Sequence, residues 1–410
     1  MNSKPVPDWR AVLLALASTG AAVLAVAATI IVALYPAVLA AAGVPEERAL
    51  IQAALQAGAV LFVGTLMIPA AYYSWQRLMS RTVAPSATRP MSPGAGLLIL
   101  CLWTGAAALA QLFYRNPILR WATPCFYLAA VALPVYFFAR LATGGLNFGS
   151  RQRTWGALGS GLLLGPLLAG GIELALVAVL VLAFAAFSAL RPDLSGGLDF
   201  LREQLRNASQ TDILDLLTRD LLNPIVISLV VLGFCVAGPL VEESAKSLTA
   251  WAVFDRLASP AEGFVVGALS GTGFGLVESL LASVQPDAHW AGTLLVRGAT
   301  AMMHIATSGL TGWGIATFRT SGQARHLVRG YALAFALHGL WNLCVIAVVL
   351  AALHAQVAPG SEQFLDGMLV AAGISILALI LLAAAFALGL ANRRLRAAAR
   401  IDQPGTQEVE

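Results

Sequence analysis

Glu242, Glu243 and Lys246 stand close together in PLVEESAKSLTAW (239–251), inside one of the most apolar stretches of the chain. An ionised side chain at the centre of a bilayer-spanning helix costs about 2.5–3.5 kcal/mol on insertion scales, so three together imply a use. Equally apolar segments downstream carry Glu278, Arg297, His304 and His338. Such a set can hydrolyse a bond with water. A desolvated glutamate kept ionised by a nearby cation serves as general base, and a histidine shares the proton of the attacking water. His338 and Asn342, one helical turn apart, can both donate to the oxyanion that develops on a peptide carbonyl. No serine or cysteine shows the partners of a covalent nucleophile. Glu242, His304 and His338 also make up a known zinc ligand set, two imidazoles and a carboxylate. The HExxH spelling is absent, so zinc ranks second and no cofactor is firmly implied. The plain alternative for Glu242, Glu243 and Lys246 is a structural ion pair, since Lys246 lies four and three residues beyond the two acids.

The elements that must position these groups are membrane helices. The 410 residues are 59% hydrophobic and 11% charged, against about 25% charged in soluble domains. Mean hydropathy is +0.79. The pattern predicts an all-α polytopic bundle of about ten spans, at 11–41, 50–76, 94–114, 121–143, 156–190, 224–253, 261–284, 293–317, 329–353 and 365–391. The first is too long for a secretory signal and is read as a span. Gly238-Pro239 predicts a break in span six and a fresh helix from about 240, with Glu242 and Glu243 in its first turn near the positive dipole end. Gly263, Gly267, Gly271 and Gly275 recur every fourth residue, so they line one helix face and admit a neighbouring backbone, which fixes the helix bearing Glu278. Arg297 and His304, seven apart, share a face. Gly161 and Gly165 precede an unassigned Glu173 in span five.

The isoelectric point near 9.0 reflects topology and not nucleic-acid binding. With alternating spans and a cytoplasmic N-terminus, Arg77, Arg81, Arg89, Arg140, Arg151, Arg153 and the cluster Arg393, Arg394, Arg396 and Arg400 all fall inside. The outer loops hold fewer, among them Arg48, Arg115 and Arg120. This asymmetry places both termini in the cytoplasm. The outer loop 191–222 ends in TDILDLLTRDLL, whose spacing predicts an amphipathic interfacial helix. Four isolated cysteines read as packing residues. The chain divides into a four-helix region of unassigned role (1–155), a catalytic-type membrane region (156–391, motif core 239–345) and a cytoplasmic tail (392–410). No repeat links the halves, which argues against a duplicated carrier, the non-enzymatic alternative alongside a helix-binding scaffold.

EESAK (242–246), FGLVES (274–279), the Arg297-to-Met303-His304 spacing and HGLWN (338–342) together resemble the PrsW intramembrane proteases, allied to the CAAX prenyl protease and bacteriocin-processing (ABI) group. The resemblance implies an endopeptidase acting on membrane-anchored proteins, such as anti-sigma-factor-like regulators. It implies Glu242 as general base with Glu243 beside it, His304 assisting the water, and His338 and Asn342 stabilising the oxyanion. Lys246, Glu278 and Arg297 are implied charge partners. The family has been described both as metal-dependent and as glutamate-dependent. Lys246 favours PrsW over CAAX processing. An Ala-rich, Arg-over-Lys composition points to a bacterial inner membrane. At about 1.5 Å per residue, Glu242 falls toward the inner side, Glu278 toward the outer, and both histidines near the middle. A single site therefore requires those depths to be reconciled.

Overall fold

A computed structural model describes residues 8–41, 47–190, 222, 224–357 and 360–401. Its helices are α1 (Trp9–Ala41), α2 (Glu47–Leu78), α3 (Pro93–Arg115), α4 (Thr123–Thr143), α5 (Arg151–Leu162), α6 (Leu164–Leu190), α7 (Pro224–Val231), α8 (Gly238–Ala252), α9 (Pro260–Ala282), α10 (Trp290–Ser321), α11 (Ala324–Val357) and α12 (Gly360–Ile401). A short antiparallel pair, β1 (Pro85–Ala87) and β2 (Asn147–Ser150), accompanies them. Among the described residues nine helices are long and apolar enough to cross a membrane. The fold is therefore the polytopic helical membrane bundle expected. The expected span at 293–317 is helix α10, which is not among the nine because serines, threonines, glycines, Arg297 and His304 lower its hydropathy. The predicted amphipathic helix at 211–222 lies outside the described residues except for Leu222.

The expected break at Gly238-Pro239 takes a different form. Leu232–Ala237 is a π-helical segment, and the Gly238 N–H bonds back five residues to the Gly233 carbonyl. The wider turn accommodates Pro239, which has no N–H of its own. Helix α8 then starts at Gly238, so Glu242 and Glu243 fall in its second turn and not its first. The dipole argument for them loses force, because that effect fades within one turn.

Backbone packing divides the chain into two units. The first comprises residues up to Pro166, Glu243–Ala334 and Leu381 onward. Helix α9 is its axis, with 83% of its apolar stretch buried. Lipid is as apolar as leucine, so close approach of small residues and interhelical hydrogen bonds, not water expulsion, hold such helices together. The glycine stripe acts as its spacing predicted. A methyl group at Gly263 would lie 2.3 Å from the Gly312 carbonyl oxygen, at Gly267 2.0 Å from that of Ser308, and at Gly271 2.2 Å from that of His304. On another side of α9, a methyl at Gly161 of α5 would meet the Ser270 carbonyl oxygen at 2.0 Å. Ser259 caps α9 by accepting from the Glu262 N–H, and Pro260 opens it. Trp290 stacks on Tyr127 at 5.8 Å and donates to the Ser283 carbonyl, while the Tyr127 hydroxyl donates to that of Leu280.

At one end of this unit an ionic network ties α1 and α2 to the α8–α9 turn. Arg256 contacts Asp8 at 2.9 Å, Arg77 approaches Asp8 at 3.6 Å, and Arg10 meets Asp255 at 2.6 Å. Burial pushes the Asp8 carboxyl up, but the hydrogen bond and charge of Arg256 outweigh it and hold the group below its usual value. The Arg10 hydrogen bond lowers Asp255 likewise.

The second unit comprises Leu167–Glu242 and Phe335–Ile380. Its backbones also meet closely. A methyl at Gly339 would lie 2.5 Å from the Cys235 carbonyl oxygen in the π-helical segment. His354 Nδ1 pairs with Asp366 at 2.7 Å.

Candidate active site

The boundary between the units falls between Glu242 and Glu243 on α8, and each unit holds part of the predicted set. In the first unit five predicted residues form one chain of contacts. Lys246 Nζ lies 2.7 Å from Glu243 Oε1, with both side chains wholly buried. The same ammonium is 3.0 Å from His304 Nδ1 and sits over the Phe274 ring, 4.6 Å from its centroid. His304 Nε2 meets Glu278 Oε2. The other Glu278 oxygen is 2.9 Å from Arg297 Nη2. The order is carboxylate, ammonium, imidazole, carboxylate, guanidinium. The depth mismatch between Glu278 and its partners is thus resolved within this unit, because α8, α9 and α10 present Lys246, Glu278 and His304 to one another.

The contacts favour one state of His304. Lys246 carries donors only, and Glu243 beside it calls for the charged ammonium, since a buried carboxylate needs a counter-charge. A donor facing Nδ1 requires a lone pair there. The imidazole is therefore neutral with its proton on Nε2, toward Glu278. Sequence reasoning missed several supporting groups. Thr307 donates to Glu243 Oε1 at 3.0 Å from one turn beyond His304. Ser270 donates to the Lys246 carbonyl at 3.0 Å. Ser244 and Tyr331 share a hydrogen bond beside Glu243. Thr307 was the one open to discovery, since its i+3 spacing from His304 puts it on the same helix face. Phe274 was in view as part of FGLVES, but no spacing rule announces a ring beneath an ammonium.

In the second unit His338 Nε2 lies 3.8 Å from Glu242 Oε2. The Glu242 side chain is 15% exposed and that of His338 3%. Their separation is too long for a direct hydrogen bond, and a water lying to one side of the pair can bond both. Asn342 donates to the Phe234 carbonyl at 2.7 Å, an acceptor within the π-helical segment. An amide NH2 has two donors, and this bond takes one. Glu173 lies beside the start of α8, where a methyl at Gly238 would stand 3.8 Å from its Oε1.

Residues 211–372 match the PrsW-protease family model, described as a PrsW family intramembrane metalloprotease. This stretch is similar to the PrsW-type proteases. It contains every predicted site residue, from Glu242 to Asn342. The match supports a protease, hence a hydrolase, and the apolar helices supply a membrane setting. No curated protein and no solved structure matches the chain.

Proposed function

We propose that the PrsW-type region cleaves membrane-anchored protein substrates, anti-sigma-factor-like regulators among them, by water that Glu242 activates. The observation carrying this reading is the Glu242–His338 pair, placed to share one water. The paired glutamates then divide their labour. Glu243 is wholly buried and held by Lys246 and Thr307, which suits a fixed charge. Glu242 is the more accessible of the two and takes the base role. It accepts a proton as water attacks the carbonyl carbon, and returns that proton to the leaving amine when the C–N bond breaks. His338 and Asn342 donate to the developing oxyanion. His304, with both ring nitrogens engaged, is a positioned neutral group held by Lys246 and by Glu278, which Arg297 holds in turn. In this proposal residues 156–391 are the catalytic region, 1–155 a four-helix membrane region of unassigned role and 392–410 a cytoplasmic tail, in a bacterial inner membrane with both termini cytoplasmic.

The family description favours a second reading with a metal ion. Glu242, His304 and His338 match a catalytic zinc set in kind, and zinc would supply a more acidic bound water. His304 does not fit that role, because its two ring nitrogens face the Lys246 ammonium and the Glu278 carboxylate. Purified protein incubated with single-span substrates tests the main reading. Cleavage by the parent that persists after removal of all divalent metal supports it, and undiminished cleavage by Glu242→Gln sinks it. Comparing membrane proteomes with and without a functional Glu242 names the substrate.

A further inference from the structure

We infer that Lys246 is a built-in cation, a tethered ammonium that fills the cation position at His304 and keeps a divalent metal from binding there. The inference deepens the hydrolytic reading and rests on it. Three groups that attract cations converge on Lys246 Nζ: the Glu243 carboxylate at 2.7 Å, the His304 Nδ1 lone pair at 3.0 Å and the Phe274 ring face at 4.6 Å. A zinc ion bonds imidazole nitrogen at about 2.0–2.1 Å through the same lone pair. One lone pair does not serve an ammonium hydrogen bond and a metal bond together. Rotating the task to Nε2 gives no escape. The proton would have to move from Nε2 to Nδ1, where it would point at the donors of Lys246. The lysine ammonium is the group that occupies Nδ1. Glu278 against Nε2 is the carboxylate partner that metal-bound histidines usually have. Removing the ammonium should therefore create a metal ligand out of His304.

Lys246→Met keeps the length and apolar stem of the side chain and deletes its charge. Each protein is purified, equilibrated with a fixed free Zn2+ concentration, freed of unbound ion by gel filtration, and assayed for zinc per chain. The parent and His304→Gln should carry the same amount, whatever other sites contribute. Lys246→Met should gain about one equivalent, lost again in Lys246→Met/His304→Gln. Cobalt(II) substitution of Lys246→Met should give the absorption spectrum of a nitrogen-ligated ion that the parent lacks. Lys246→Met leaves Glu243 buried without its counter-charge, so Glu243→Gln/Lys246→Met is carried in parallel as a charge-balanced form. Thermal unfolding and elution profile identify which of the two is folded. A parent whose stoichiometric zinc disappears in His304→Gln overturns the inference. A folded Lys246-less form that binds no more zinc than the parent overturns it equally. The counts are taken without substrate, so failure of the parent to cleave any peptide falls on the proteolytic reading alone.

Discussion

Replacing Gly271 by alanine separates positioning from chemistry, because the substituted residue touches no catalytic group except through the backbone of His304. Its added methyl would stand 2.2 Å from the His304 carbonyl oxygen and 2.8 Å from both the His304 carbonyl carbon and Ser308 Oγ. Non-bonded carbons rest about 3.5–4.0 Å from their neighbours, so α9 and α10 must part by about 1 Å. Alanine gains about 0.5–1 kcal/mol over glycine in a helix interior. Overpacking of this kind costs about 1–3 kcal/mol, so the net effect is a modest loss of stability. The effect on rate is larger. The His304 ring is held from outside its own backbone by Lys246 and Glu278, so a shift of the main chain by about 1 Å breaks one of those contacts or tilts the ring. Misplacement on that scale costs about 100-fold in rate. The assay pairs cleavage of a single-span substrate with thermal unfolding. Gly105→Ala on α3, where a methyl meets nothing within 4 Å, is the control and should match the parent in cleavage. A Gly271→Ala protein that unfolds like the parent and cleaves within about twofold of it would refute the claim that this close approach sets the position of His304.

Glu242→Gln should lower cleavage by about 100- to 10,000-fold, the usual worth of a general base, with thermal stability unchanged; a loss confined to stability would remove Glu242 from the chemistry. Glu243→Gln and Lys246→Met should each destabilise by about 3–5 kcal/mol, because each leaves its partner charged and buried. Their combination should cost clearly less than the sum, and additive costs in a denaturation cycle would show that the two are not paired. The folded-state carboxyls of Asp8 and Asp255 titrate below the ordinary aspartate value of 3.8. Their contribution is therefore complete above that value and is lost as pH falls through their lowered range. Thermal midpoints should hold from neutrality to about pH 4 and then drop, with Asp8→Asn removing part of the drop. An identical acid profile in that variant would show the network contributes nothing.

The parts of this fold that sequence reveals are those governed by period and composition. The apolar runs located most span ends within about five residues, though the last helix runs on to Ile401 and the fifth span is two helices, and the four-residue glycine spacing located the tight α9–α10 face, because in both cases the physical cause repeats along the chain. The candidate residues were legible for a related reason: an ionisable side chain in an apolar helix is conspicuous whatever it touches. What could not be read was pairing. Glu242 and Glu243 are adjacent and chemically identical, and only their different surroundings distinguish a buried, lysine-bound carboxylate from one that faces His338. The π-helical turn was likewise hidden, since Gly238-Pro239 spells a discontinuity without saying whether the chain breaks or widens. The expected first-turn placement of the glutamates failed on that point.

The two glutamates also differ in the charge balance around them. In the first unit Glu243 and Glu278 carry two negative charges, Lys246 and Arg297 two positive ones, and His304 is neutral between them. Two unit charges 4 Å apart interact by about 4 kcal/mol at an effective dielectric of 20, several times their interaction in water. Adding or removing one proton at the wholly buried Glu243–Lys246 pair would leave an unbalanced charge, at a cost of several kcal/mol. The chain of five is therefore poorly suited to exchanging protons during turnover. It is well suited to a constant field and a single histidine tautomer. Proton transfer needs a group that changes charge at lower cost, with a donor beside it and some access to water. In the proposed mechanism that group is Glu242, partly exposed and 3.8 Å from His338, and not the wholly buried Glu243 one residue later in the same helix.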